Sequence, residues 1–319
     1  KIKQISLSIL VQTIKNNAFY GCSSLVEISI PSSVNFIGNS SFSFCSSLTQ
    51  ITIPSSVEII GDCCFNGCSN LTKIELPSSL KSIRDYTFHE CSLLKEITIP
   101  SSVTFIGNYA FGECSSLTEI TIPSSVSLIQ NYAFYGCSSL KQVSFASSSS
   151  SVAQIGNYAF GECSMLKEIE IPSSVNSIGK FAFYECSLLD QISFENQSSL
   201  RTIGKGAFNK CSLLVQMLIP PLVNSIGKNA FNECTSLKQI TIPCSVSSIK
   251  ESTFFECHSL LEIKIPSSVS SIDEYAFYEC KSLEKVVISS SVNSIENHSF
   301  SRCISLTQVL IENPSSLNY

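Results

Sequence analysis

A chain of 319 residues, 44% hydrophobic and 14% charged with a net charge of −5, carries enough apolar material for a large core. That balance excludes a disordered tail and leaves no basic footprint for nucleic acid. No apolar run approaches the length of a membrane span.

The chain is periodic from its first residues. Ile2, Ile5, Leu7, Val11 and Ile14 already hold columns that recur to the end. Cys22, Cys45, Cys68, Cys91, Cys114 and Cys137 are each 23 apart. Cys163 comes after 26 and Cys211 after 25, while Cys186, Cys234, Cys257, Cys280 and Cys303 keep the interval of 23. Three residues before each stands a Phe, from Phe19 to Phe300, and five before that an Ile, from Ile14 to Ile295. Three residues after each Cys is a Leu, from Leu25 to Leu306. A fixed period of this size means a solenoid in which each unit leans on the next, because no single unit buries enough to offset its own chain entropy. The expectation is one array over residues 1–319, about 13 units of 23 residues, cut within a unit at both ends.

Within a unit the elements keep a fixed order. Leu-x-x-Ile-x-Ile alternates with period two and reads as a short strand. The Pro after it, as at Pro31, Pro54, Pro100 and Pro123, cannot donate to a ladder and closes the strand. Ser-Ser turns the chain, and Val-x-x-Ile gives a second, shorter extended piece. Gly-x-x-Ala-Phe-x-x-Cys is too short for a stable α-helix and reads as turns or a 3₁₀-like twist. Gly107, Gly156 and Gly204 are expected at positive φ there. Parallel strands joined by a full turn of chain should wind right-handed. Leu222, after Pro220 and Pro221, and the missing Pro after Phe145, Phe194 and Ile288 should distort their turns locally.

Of 16 cysteines, 13 share one inward column, which reads as buried free thiol rather than disulfide. Cys64 takes a column usually held by Ala, Cys63 lies beside it, and Cys244 takes a Ser position in a turn. Cys63, Cys64 and Cys68 lack paired ligand spacing and have no His nearby, so no metal is expected.

The motif Leu-x-x-Ile-x-Ile-Pro-x-x-Val-x-x-Ile-Gly-x-x-Ala-Phe-x-x-Cys resembles the leucine-rich repeats of the BspA-like family, the Treponema-type class, over essentially the whole chain. The resemblance implies a β-rich leucine-rich repeat solenoid with little regular helix. Its parallel sheet would line a concave face, with short extended or 3₁₀ segments opposite. Commoner leucine-rich repeats carry an Asn where this chain has Ser33, Ser56, Ser102 and Ser125. Two roles are open to these hydroxyls: satisfying backbone groups as an Asn ladder does, or simply suiting a turn. Family membership would imply a cell-surface or secreted protein of bacteria or anaerobic protozoa, associated with adhesion to matrix proteins or to other cells.

A search for chemistry finds little. His89, His258 and His298 lie in different units. No nucleophile has a base beside it, and no cofactor motif is present. The expectation is a non-enzymatic binding module, its partner a protein or glycoprotein, with no nucleic acid and no membrane contact from this segment. The candidate face is the outward side of the strands: Glu96, Thr98, Glu119, Thr121, Gln142, Glu168, Glu170, Gln191, Gln216, Leu218, Gln239, Glu262 and Lys264. Leu218, Val287 and Leu310 stand out as apolar exceptions among outward residues. Tyr86, Tyr109, Tyr132, Tyr158, Phe181 and Tyr275 form an aromatic row, either for glycan or protein contact or as a stacked cover. An acidic column, Glu90, Glu113, Glu162, Glu185, Glu233, Glu256 and Glu279, alternates with Gly and is expected to be solvated. Asn-x-Ser/Thr sequons occur at Asn39, Asn70, Asn196 and Asn297; Asn39 and Asn297 adjoin inward columns, where a glycan fits only if the side chain points out. The competing function is an intracellular scaffold, with which abundant free thiols are compatible.

Overall fold

The computed structural model describes residues 2–146 and 150–312, in two compact units, Lys1–Leu166 and Lys167–Tyr319. Each unit is a run of parallel-strand coils, about 13 in all, with no helix among the described residues. In the first unit the longer strands are Gln4–Ser6, Glu27–Ser29, Gln50–Thr52, Lys73–Glu75, Glu119–Ile122 and Gln142–Phe145. In the second they are Glu168–Ile171, Gln191–Phe194, Gln216–Leu218, Gln239–Thr241, Glu262–Ile265, Lys285–Ser289 and Gln308–Glu312. Two-residue strands at Val-x-x-Ile form a second line, from Thr13–Ile14 to Gln154–Ile155 and from Ser177–Ile178 to Ser294–Ile295. Every pairing described is parallel, and equivalent residues face each other, as Ile120 faces Val143.

Strand length tracks proline. Where Pro is missing, the freed N–H joins the ladder: Ala146 donates to the Ile122 carbonyl at 2.9 Å and Glu195 to that of Ile171 at 3.0 Å. Those strands and the strands before them reach four residues, and Lys285–Ser289 reaches five. The expected distortion is therefore an extension of the pairing. Coils closed by Pro on both sides hold three-residue strands or fewer. Between Pro77 and Pro123 no strand forms at 95–99, although Ile97 and Ile99 stay buried and Glu96 and Thr98 exposed. The line of longer strands is thus interrupted as a hydrogen-bonded sheet.

The core is built from columns. Phe42, Phe65, Phe88, Phe111, Phe134 and Phe160 are fully buried in the first unit, and Phe183, Phe208, Phe231, Phe254 and Phe277 in the second. Neighbouring rings within a unit stack at 5.0–5.6 Å between centroids. Burying each such ring is worth about 1.5–3 kcal/mol. Within each unit the column thiols, Cys45 to Cys163 and Cys186 to Cys280, are buried as the spacing predicts, while at the column's ends Cys22 is exposed and Cys303 half-buried; Cys244, in its turn, is exposed. They are more than filler. Down the file they donate to the Phe carbonyl of the preceding coil at 3.1–3.2 Å, as Cys137 does to Phe111 and Cys257 to Phe231. Burial pushes the file's thiols up, Cys45 to about 12.

The Ser column does satisfy backbone. Ser33, Ser56, Ser79, Ser102, Ser125, Ser245, Ser268 and Ser291 each donate to a carbonyl one coil back, at 2.5–2.8 Å. On the turn side, two hydrogen-bond systems interleave. Phe19, Cys22 and Leu25 illustrate it: the N–H of Phe19 crosses to Ser41 of the next coil at 2.8 Å, while those of Cys22 and Leu25 fold back three residues to Phe19 and Cys22. Every second N–H thus bonds along the solenoid and the others close tight turns, so the backbone is satisfied without helix.

This arrangement puts two residues per coil in the left-handed region. One column contains Tyr86, Tyr109, Tyr132 and Tyr158 at φ 51–58°. The other holds Glu90, Glu113 and Glu162 at 58°, and Gly21, Gly67 and Gly136 at 69–70°. The alternation of Glu with Gly in this column is therefore conformational: Gly adopts this φ without strain, and Glu does so at a cost of about 1–2 kcal/mol. Gly107, Gly156 and Gly204, by contrast, are not at positive φ. Their role is close approach. A Cβ on Gly107 would sit 2.5 Å from Asp85 Oδ1 and 2.7 Å from its backbone N. That oxygen accepts the Asn108 N–H at 2.7 Å. The same device joins Asn39 to Asn16 after Gly38, Asp62 to Asn39 after Gly61, and Asn157 to Asn131 after Gly156.

Candidate partner-binding face

Strand alternation buries one set of side chains and turns the other out. Glu119–Ile122 reads exposed, buried, exposed, buried, and Glu168–Ile171 repeats the pattern. All thirteen candidate residues are exposed. In the first unit, Glu119 lies beside Gln142 and Thr121 beside Ser144. Glu96 and Thr98 occupy equivalent places on the coil that lacks a strand. In the second unit, Glu168 and Glu170 lie beside Gln191 and Ser193, and Gln191, Gln216 and Gln239 succeed one another in register. Leu218 faces Thr241 and is 76% exposed.

Charge on this face is unevenly neutralised. Lys73 pairs with Glu75 at 3.0 Å, Lys285 lies 4.0 Å from Glu262, and Lys264 meets Glu312 at 3.0 Å. Among the described residues, Glu96, Glu119, Glu168 and Glu170 are in no ion pair. Spacing shows the Lys73–Glu75 pair, since residues two apart on a strand share a face. The Lys264–Glu312 pair spans two coils and has no such signal.

The aromatic row is a stack. Tyr86, Tyr109, Tyr132 and Tyr158 lie at 4.4–4.9 Å between centroids, nearly parallel. Ring faces are spent on one another, and a sugar would find only edges, so the row is a cover rather than a glycan platform. His89 lies edge-on to Tyr86 and Tyr109, its Nδ1 3.0 Å from the Gly112 carbonyl. His298 stacks on Tyr275.

The acidic column is only partly solvated, contrary to expectation. Lys210 and Arg302 interrupt it: Lys210 pairs with Glu185 at 2.7 Å, and Arg302 with Glu279 at 2.6 Å. These bonds, from Lys210 and Arg302 respectively, hold both carboxyls below their usual range. Elsewhere Tyr135 donates to Glu162, and burial, with Glu162 second, raises Glu113, whose carboxylate packs over Gly136. The four sequon asparagines are all exposed, including Asn39 and Asn297.

No group of metal-ligating side chains occurs among the described residues, and no helix there is long and apolar enough to cross a membrane. A recess of about 190 Å³ lined by Leu261, Glu262, Glu284, Lys285, Thr307 and Gln308 is smaller than ordinary small-molecule sites.

Stacked parallel strands over a Phe–Cys–Leu–Ile core, with an exposed strand face, define a leucine-rich repeat protein. Its repeats match the BspA type leucine rich repeat region, in six copies, over residues 1–117, 129–252 and 224–319, and the chain belongs to that family. It is similar to a leucine-rich repeat protein from Bacteroides ovatus, with 31% identity, a TM-score of 0.76, and 96% of this chain and 86% of that one covered. A leucine rich cell surface protein from Faecalibacterium prausnitzii aligns at 27% identity and TM-score 0.58, over 98% and 88% of the two chains. The pneumococcal vaccine antigen PcpA shares the fold at 23% identity and TM-score 0.59, over 97% and 79%. No curated protein matches the chain.

Proposed function

We propose that the chain is a non-enzymatic protein-binding module displayed at a cell surface, where its outward strand residues contact a protein or glycoprotein of a host or neighbouring cell. The observation that carries this reading is the division of labour within each strand. Inward columns hold the same residue types throughout, while exposed positions change from Glu to Gln to Lys to Leu along the solenoid. Extended repeat faces of this kind suit macromolecular partners. Family membership and the similar cell surface protein from Faecalibacterium prausnitzii support a surface location. The test is binding of the purified chain to intact cells and to a panel of matrix glycoproteins. Binding should be lost in the triple variant Glu119→Lys, Glu168→Lys, Glu170→Lys. Binding to no surface, or binding that ignores these changes, would count against the reading.

A further inference from the structure

We infer that the strand face around Leu218, in the second unit, docks an extended partner segment bearing a basic residue and, about three residues away, an apolar one. The inference rests on the protein-binding reading above and narrows it to one place and one chemistry.

Most outward positions hold Glu, Gln, Thr, Ser or Lys. Leu218 breaks that rule at 76% exposure, on the same coil as the exposed Val215. In its own file and the neighbouring glutamine file no charge adjoins it: Gln191, Gln216 and Gln239 run past it in register, and Ser193 and Thr241 flank it, while Asp190 and Lys238 lie exposed at the strand edge in the column of Val215. An apolar anchor flanked by uncharged hydrogen-bonding groups has the make-up of an interface core, which is poor in charge and rich in side chains that exclude water. Carboxamides both donate and accept, so the three glutamines can satisfy either backbone group of an extended segment.

Charge complementarity fixes the rest. Two coils before Leu218 in the same file stands Glu170, with Glu168 on the same strand, and neither is ion-paired among the described residues. On the other side Lys264 is already matched by Glu312. Lys167 and Lys238 are exposed at the strand edges, off this file. A segment running along the solenoid therefore meets an open negative site and an apolar one two strand spacings apart. That is roughly 10 Å, which an extended chain covers in about three residues.

The probes are labelled synthetic ten-residue peptides of Ser and Thr carrying one Arg and one Leu at separations of one to six, plus matched peptides with Glu for Arg or Ser for Leu. Binding to the full chain is read by fluorescence anisotropy. Affinity should peak near a separation of three. It should fall at least about tenfold with Leu218→Ser. The pair Glu168→Lys and Glu170→Lys should switch preference from the Arg to the Glu peptides. Glu58→Lys, exposed beside the shorter strand line of the first unit and outside the candidate face, should change affinity less than about twofold. These side chains are exposed, and circular dichroism checks that each variant folds. Failure of every peptide to bind, indifference to Leu218→Ser, or no charge switch would overturn the inference. So would sedimentation showing that Leu218→Ser merely dissolves a dimer of this chain. Should cell or glycoprotein binding persist but depend on Glu96 and Glu119 instead, the protein-binding reading stands and this docking site alone falls.

Discussion

The strand side and the turn side of each coil solve the same problem by different means. On the strand side a Pro regularly removes one donor, strands stay short, and the breaks in the ladder fall between coils closed by Pro. On the turn side, bonds such as Phe42 N–H to Cys64 O at 2.9 Å recur from coil to coil, and the cost is two left-handed residues per coil. Rigidity therefore resides with Phe, Cys and the close-approach glycines. The strand face is free to vary because little structure depends on its outward atoms.

The sharpest test of that division is collective and uses pH. Unfolded thiols titrate near 9, whereas Cys45 in the folded chain holds its proton to about 12, and burial raises Cys68, Cys91, Cys114 and Cys137 in the same direction. The folded chain thus binds more protons than the unfolded one above pH 9, so stability present below that point falls as pH rises. Each buried thiol should remove about 1.4 kcal/mol per pH unit across its window. Urea midpoints should be flat from pH 6 to 8 and drop steeply above 9, with a shallower slope in Cys137→Ala. A flat profile to pH 11 would break the picture of a turn side sealed around sulfur.

Next in size are single substitutions on the two sides. Phe134→Ala empties one place in the ring stack and should cost about 3–5 kcal/mol. Glu119→Lys on the strand face should stay within about 0.5 kcal/mol. Denaturant titration of the pair measures the contrast directly, and equal losses would abolish it. The smallest expected effects separate two kinds of glycine. Gly107→Ala drives a Cβ into Asp85 and should cost about 1–3 kcal/mol while breaking the bond to Asn108. Gly136→Ala meets only the movable Glu113 carboxylate and should cost about 1 kcal/mol from its φ of 69°. Melting temperatures of the two variants rank them.

Much of this is legible in the spacing. Phe, Cys, Leu and Ile recur because each must fill the same volume in every coil, and periodicity reports volume well. Backbone conformation is reported poorly. Nothing in the residue type of Tyr109 or Glu113 announces a positive φ, because the bonds that hold it come from the next coil. Gly107 looks like a positive-φ turn residue for the same reason: its neighbour across the coil, Asp85, is 22 residues away. On the candidate face, exposure comes from alternation alone. Which carboxylates lack a cation does not, since the Lys264–Glu312 pair joins residues 48 apart.

Two intervals between cysteines exceed 23, one before Cys163 and one before Cys211, and the latter takes its extra residues at the corner after Gln191–Phe194. There Glu195 joins the ladder through its N–H, its carboxylate accepts from Ser173 at 2.9 Å, and Leu200 re-enters the buried column. The corner works as a splice point: chain can be added there while the flanking columns keep their partners. A foreign loop or tag grafted between residues 195 and 199 would be carried at the rim of the solenoid, and neighbouring coils could diverge in length one at a time without losing step.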